Sequence, residues 1–348
     1  MNEASGITKE KIAALEEIIR RAEKIAVLSH MNPDGDAVGS CAAVASFLTD
    51  MRGKDVKVVL PNAPGAPLDF ITRRIPEGRL LIHADAPEAA EKAIGDADAI
   101  FVLDLNRLDR VSGAEGALRR SRAPKVLIDH HLGPEVEAFD LVFSKAEVSS
   151  ACELIFQILT EIVPDAKKLP ETCAYSLMCG MTTDSNNFAN SVFPSTLKMA
   201  SALLDAGVDR DEIVESVFNS YRINRIRLLG HMLDKCLHVT PEGAAWMILT
   251  KDIKDRFDFR DGESEGFVNV PLSSKEVRLS ILLTEEDDRF RVSVRSKKGT
   301  SAREVAARFF HGGGHENASG GRLMVPGDIP VKEDAGAYVE KAIKECLK

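Results

Sequence analysis

The 348 residues are 44% hydrophobic and 28% charged, enough apolar material for about two domains. A net charge of −9 excludes a protein that coats long nucleic acid by general electrostatics, but not local basic groups that grip a small phosphorylated ligand. No apolar run approaches the ~20 residues of a spanning helix, the first residues lack a secretion signal's order, and none of the six cysteines forms a C-x-x-C pair; the expectation is a cytoplasmic protein with reduced thiols and no membrane partner.

Segment 7–23 places Ile12, Leu15, Ile18, Ile19 and Ala22 at helical spacing, with Thr8 as N-cap. A strand is expected at 24–30, an Ala/Val-rich helix at 36–51 that stops near Gly53, and a second strand at 56–60. Short apolar runs at 99–103 and 125–128 each lead into an Asp. Such runs, alternating with helical patterns, predict a mostly parallel sheet flanked by helices. Segment 151–163 is amphipathic. Segment 171–181 is apolar nearly all round, a buried helix running into T-T-D-S-N-N. Helices follow at 195–206, 209–219 and 221–237, the last expected to bridge two domains. Beyond residue 238 the texture changes. A hairpin (239–240 with 244–250) and a strand pair (277–283 with 290–296) come before a capping box, Ser301 to Glu304, and the glycine-rich stretch H-G-G-G-H-E-N-A-S-G-G at 311–321. The expected organisation is an α/β chain of two domains. Residues 1–195 form the larger, 196–237 a helical linker and 238–348 a smaller mixed α/β domain, with the active site in the cleft between.

Ligands of open parallel sheets bind outside the carboxyl ends of strands. His30, Asp34 and Asp36 follow the first strand, Asp104 ends F-V-L-D, Asp129, His130 and His131 end V-L-I-D-H-H, and Asp184 follows the buried helix. Brought together, these carboxylates repel one another unless a divalent cation compensates. Carboxylates and imidazoles without thiolate suit Mn²⁺, Mg²⁺ or Fe²⁺ better than structural zinc, and two ions sharing a carboxylate suit phosphoryl chemistry. Simpler readings fail. The 32–43 loop has Ala37 and Ala43 where an EF-hand needs Gly and Glu, and Gly35 and Gly39 do not make G-x-G-x-x-G. Asp36 read alone is a helix N-cap.

In their order and spacing, H-M-N-P-D-G-D-A-V-G-S, V-L-D-L, I-D-H-H and T-T-D-S-N-N-F resemble the four motifs of the DHH phosphoesterases, and G-G-G-H-E-N-A-S-G resembles the signature of their DHH-associated C-terminal domain. One departure is Ser185-Asn186 where the family often has Thr-Gly, expected to alter loop shape more than metal binding. The resemblance implies one Mn²⁺ on His30, Asp34 and Asp104, and another on Asp36, Asp104, His130 and Asp184, with Mg²⁺ or another divalent ion as substitute. It gives catalytic roles to Asp104, as the bridge, and to His131, beside the scissile phosphate. The compact architecture is most similar to the NrnA type of bifunctional oligoribonuclease. That type trims very short single-stranded RNA, and linear dinucleotides such as pApA, to 5′-mononucleotides, and in many cases dephosphorylates 3′-phosphoadenosine 5′-phosphate. No long duplex is an expected partner, and a homodimer is compatible. Two rivals stand: a hydrolase of pyrophosphate or polyphosphate with the same metals, and a non-enzymatic nucleotide-binding protein.

In the second domain, three glycines between His311 and His315 argue against a helical metal pair, and H-G-G-G has no G-x-S-x-G partner for a serine esterase. Gly312, Gly313 and Gly314 read as an anion nest whose N–H groups face a phosphate. By resemblance, Arg295, Ser296 and the Gly312–Gly313–Gly314–His315 loop hold the substrate's terminal nucleotide or phosphate.

Overall fold

The computed structural model describes residues 6–314 and 316–347. It divides into two compact units between Ser220 and Tyr221. In the first, six strands, β1 (Lys24–Leu28), β2 (Asp55–Leu60), β3 (Leu80–Ile82), β4 (Ala99–Leu103), β5 (Lys125–Asp129) and β6 (Leu141–Ser144), form one sheet in the order β3-β2-β1-β4-β5-β6. Every pairing is parallel. The continuous apolar runs follow from burial on both faces. Ile25 and Val27 of β1 and Phe101 and Leu103 of β4 join the core on one side, and Ala26, Leu28, Ile100 and Val102 the core on the other. The order reverses between β1 and β4, the position at which open α/β sheets form a ligand crevice.

Two helices pack closely against one face. Gly35–Ser46 lies against Glu171–Asp184, the helix expected to be buried, whose residues from Cys173 to Thr182 are indeed all buried. Small residues set this approach. A Cβ on Gly39 would lie 2.6 Å from the Ser176 carbonyl oxygen, and one on Gly35 would lie 2.3 Å from Thr183 Oγ1.

The second unit has a mixed sheet of β7 (His238–Val239), β8 (Ala244–Leu249), β9 (Leu279–Glu285), β10 (Arg289–Ser296), β11 (Gly313–Gly314) and β12 (Ala318–Met324), in the order β11-β12-β10-β9-β8-β7. Only β8 and β9 run parallel among these pairs. Phe290, Val292 and Val294 alternate into a core with the helices Ala302–Phe309 and Ala335–Cys346. Ser301 caps the former by accepting from the Glu304 N–H. Helix Ile223–Lys235, expected to bridge domains, lies within this unit and packs Leu228 and Met232 against Met247, Leu249 and Phe267. All six cysteines are free thiols. No helix among the described residues is long and apolar enough to cross a membrane.

Candidate metal centre

Each acidic or histidine motif sits where a strand or helix of the first unit ends. β1 delivers Ser29, whose hydroxyl donates to the Leu103 carbonyl at 2.8 Å and ties the ends of β1 and β4 together. His30 follows, donating from Nδ1 to the Met31 carbonyl at 2.9 Å, which leaves Nε2 as the nitrogen that could take a metal. Asp34, not Asp36, is the N-cap of helix Gly35–Ser46, accepting from the Asp36 and Ala37 N–H groups at 3.1 Å each. Asp36 has another place. Its carboxylate accepts from the Ala151 and Cys152 N–H groups at 2.6 and 2.9 Å, at the start of helix Ala151–Ile162, where the helix dipole favours negative charge.

Asp104 follows β4 at φ 55, in the left-handed region that Asp tolerates better than most residues, with its N–H donated to the Ile128 carbonyl. It is only 2% exposed. Its Oδ2 lies 3.3 Å from His30 Nε2 and its Oδ1 3.5 Å from His130 Nε2, so the two oxygens face opposite histidines. His130 Nε2 also lies 3.4 Å from Asp184 and 3.9 Å from Asp36. Ligand atoms within 4.8 Å of one another therefore form the groups His30, Asp34, Asp104 and Asp36, His130, Asp184, with a third, Asp104, His130, His131, spanning them.

The donor set fits a divalent metal. Asp104 Oδ1 is buried and accepts no well-formed hydrogen bond, a costly state that a cation relieves. Burial lowers the His30 and His130 pKa values, but the Asp104 carboxylate outweighs it, aided by Asp34 at His30 and by Asp36 and Asp184 at His130; the net result is about 9 for His30 and about 10 for His130. Burial and the neighbouring Asp104 charge push Asp36 up to about 7. Asp184 is raised for the same kind of reason, burial first and Asp36 next. Asp104 moves the opposite way: the two histidines hold its carboxyl well below the usual range despite burial. In the metal-free protein, imidazolium protons supply positive charge that a metal can replace.

Two further groups order the site. Asp129, wholly buried at the end of β5, accepts from the His131 Nδ1–H at 2.7 Å and from the His131 backbone N–H at 3.1 Å. Arg110 Nη1 approaches His131 Nε2 at 3.4 Å. Neither contact has a signal in spacing, although Asp129 belongs to the I-D-H-H run. Beyond Asp184, Asn186 and Asn187 take φ values of 47 and 57. Asn tolerates this left-handed backbone, so the departure from Thr-Gly keeps a conformation that glycine adopts freely.

The residues singled out for substrate in the second unit have local partners. Arg295 Nη1 donates to the Val294 and Ser319 carbonyls at 3.0 and 3.2 Å. Ser296 Oγ donates to the Thr300 carbonyl at 2.6 Å and accepts from Asn317 Nδ2 at 2.9 Å. Gly313 and Gly314 pair with Gly320 and Ser319, and a Cβ on Gly312 would lie 2.0 Å from the Gly320 carbonyl oxygen. The close approach that Gly312 and Gly314 allow thus serves the β11–β12 ladder, whereas a Cβ on Gly313 would meet open space. His315 lies outside the described residues.

Residues 24–181 match the DHH family, N-terminal domain, and residues 247–346 the DHHA1 domain. The chain belongs to the DHH family. This DHH protein is 28% identical over 313 residues to the probable bifunctional oligoribonuclease and PAP phosphatase NrnA of Streptococcus mutans, covering 87% of this chain and 90% of the relative. A crystal structure of an exopolyphosphatase-related protein from Bacteroides fragilis matches with 34% identity and a TM-score of 0.91, over 99% of this chain and 98% of that one. The fold of exonuclease RecJ bound to manganese is also similar, with a TM-score of 0.50 at 18% identity over 97% of this chain and 94% of that one. As a DHH phosphoesterase the chain is an enzyme of the hydrolase class.

Proposed function

We propose that this DHH protein is a cytoplasmic, Mn²⁺-dependent phosphoesterase. It hydrolyses very short oligoribonucleotides and linear dinucleotides to 5′-mononucleotides, and removes the 3′-phosphate of 3′-phosphoadenosine 5′-phosphate. The observation that carries the reading is Asp104, whose two buried oxygens face two separate ligand groups. His30, Asp34 and Asp104 would hold one ion, and Asp36, His130 and Asp184, with Asp104 shared, the other. A bound divalent pair supplies Lewis-acid charge for phosphoryl oxygens and a water of lowered pKa.

The chain's own residues do the rest. The Asp129 carboxylate pins the His131 Nδ1–H, which leaves Nε2 to face the phosphoryl group and exchange a proton with the leaving oxygen. The backbone N–H groups of Ala151 and Cys152 fix Asp36, so that its remaining lone pairs point one way. Arg295, Ser296, Gly312, Gly313, Gly314 and His315 are assigned to the part of the substrate away from the cut bond. Short RNA is favoured because the NrnA relative aligns across both domains, and Mn²⁺ because the RecJ structure of this fold carries it.

The test is a panel of 2–10-nucleotide RNA, pApA, 3′-phosphoadenosine 5′-phosphate, pyrophosphate and polyphosphate, each with Mn²⁺. Preference for the nucleotides is expected. The Bacteroides fragilis likeness favours a second reading, polyphosphate hydrolysis, and a preference for polyphosphate or pyrophosphate would replace the first.

A further inference from the structure

We infer that Arg110 is a substrate-binding residue whose guanidinium grips the non-bridging oxygens of the scissile phosphate on the His131 side of the cluster. The inference rests on the phosphoesterase reading and adds a residue to it.

The backbone holds Arg110 in place independently of its side chain. The Arg110 carbonyl accepts from the Met31 N–H at 2.8 Å, which ties the segment after β4 to the loop that carries His30 and Asp34. Two residues on, Ser112 has φ 53 and ψ −125, a strained conformation that turns the segment sharply. The side chain is half-buried and reaches back to His131 Nε2 at 3.4 Å.

Its charge is unbalanced. Arg107 pairs with Asp109 at 3.2 Å, and Arg119 pairs with Glu115 and Glu135 at 2.8 and 3.1 Å. Arg110 forms no ion pair with a carboxylate among the described residues, and its side-chain contact there spends a single donor on the His131 ring at long range. A guanidinium stays charged at every working pH and offers five donors in a planar fork, so leaving it half-buried without an anion is unfavourable. Orientation of His131 does not account for the contact, because Asp129 already fixes that ring at 2.7 Å. The missing anion is one that arrives beside His131, which itself lies 3.7 Å from Asp104 Oδ1. A phosphate there would lie beside the residues that would hold the metals and offer its other oxygens to the Arg110 fork, a bidentate arrangement that Arg favours.

The test uses the full chain with Mn²⁺ and two substrates, ApA, whose single phosphate is the one cut, and pApA, which adds a terminal phosphate. In Arg110→Ala, kcat/KM is expected to fall about 100-fold on both, as when one transition-state donor is lost, while Mn²⁺ affinity and stoichiometry stay at the wild-type level. Guanidinium ion added to Arg110→Ala should restore part of the rate, and Arg110→Lys should recover less than about one-tenth of it. The inference is overturned if Arg110→Ala stays within about threefold of wild type, if its loss is confined to pApA, or if Mn²⁺ affinity falls in parallel. Failure of the underlying reading shows separately, as a wild type that cuts pyrophosphate and neither dinucleotide. In that event the same variant assayed on pyrophosphate decides for or against Arg110.

Discussion

Asp104→Asn keeps the shape of the side chain and removes the charge on which both ligand groups converge. In the metal-free protein that charge is what lifts His30 from 6.5 to about 9 and His130 from 6.5 to about 10 against the pull of burial. At about 1.4 kcal/mol per tenfold, these positions correspond to about 3 and about 5 kcal/mol of stabilisation of the two imidazolium forms. Without the carboxylate, burial acts unopposed by its nearest charge, and both rings should lose their protons at lower pH, near or below the ordinary histidine range. The same loss weakens metal binding. Removing one partner from a buried charge cluster costs about 3–5 kcal/mol, or about two to four powers of ten in Mn²⁺ affinity. Calorimetry with Mn²⁺ reads the affinity, and histidine NMR across a pH titration reads the two rings. An Asp104→Asn protein that binds two Mn²⁺ ions at wild-type affinity, or keeps both histidines at pKa 9 or above, would refute the reasoning.

Three further outcomes follow from the same geometry. His30, His130, Asp36 and Asp184 all have raised pKa values, so each binds its proton more tightly folded than unfolded. Their stabilisation is complete below the unfolded pKa and lost as pH rises, for Asp36 between 3.8 and about 7 and for the histidines between 6.5 and about 9–10. The melting temperature of metal-free protein should therefore fall as pH rises through that range, while Mn²⁺-loaded protein stays flatter and Mn²⁺ binding releases protons measurable by calorimetry in buffers of different ionisation enthalpy. Gly39→Ala drives a Cβ to 2.6 Å from the Ser176 carbonyl oxygen and forces the two site-bearing helices apart, at about 1–3 kcal/mol and a drop of about 2–12 °C in melting temperature by calorimetry. Asp129→Asn removes the charge that holds the His131 Nδ1–H without touching the candidate metal ligands, so kcat should fall about 100-fold with Mn²⁺ stoichiometry unchanged.

Much of the first unit's framework was legible because its strands are buried on both faces. Runs such as Ile25-Ala26-Val27-Leu28 and Ala99 to Leu103 have no reading on a half-exposed surface. The gathering of His30, Asp34, Asp36, Asp104, His130 and Asp184 was legible for a related reason: each stands just past a strand, or at a helix end, and a parallel sheet presents its strand ends along one edge. Two other strands were not. Leu80–Ile82, at a sheet edge, is three half-buried residues, and Ala318–Met324 contains two adjacent glycines that ordinarily weaken a strand. Gly321 is needed because Phe310 presses on the ladder: a Cβ there would lie 2.3 Å from its carbonyl oxygen. Nor does chain order reveal that β4 lies beside β1. The Asp36 contacts with Ala151 and Cys152, more than a hundred residues away, and the approach of Arg110 to His131 exist only after folding and leave no periodicity to read.

The central claim is a dinuclear centre bridged by Asp104, and anomalous diffraction at the manganese edge from crystals grown with Mn²⁺ tests it most directly. Two peaks are predicted, one bound by His30, Asp34 and Asp104 and the other by Asp36, Asp104, His130 and Asp184. A single peak, or two ions that share no Asp104 oxygen, would contradict it.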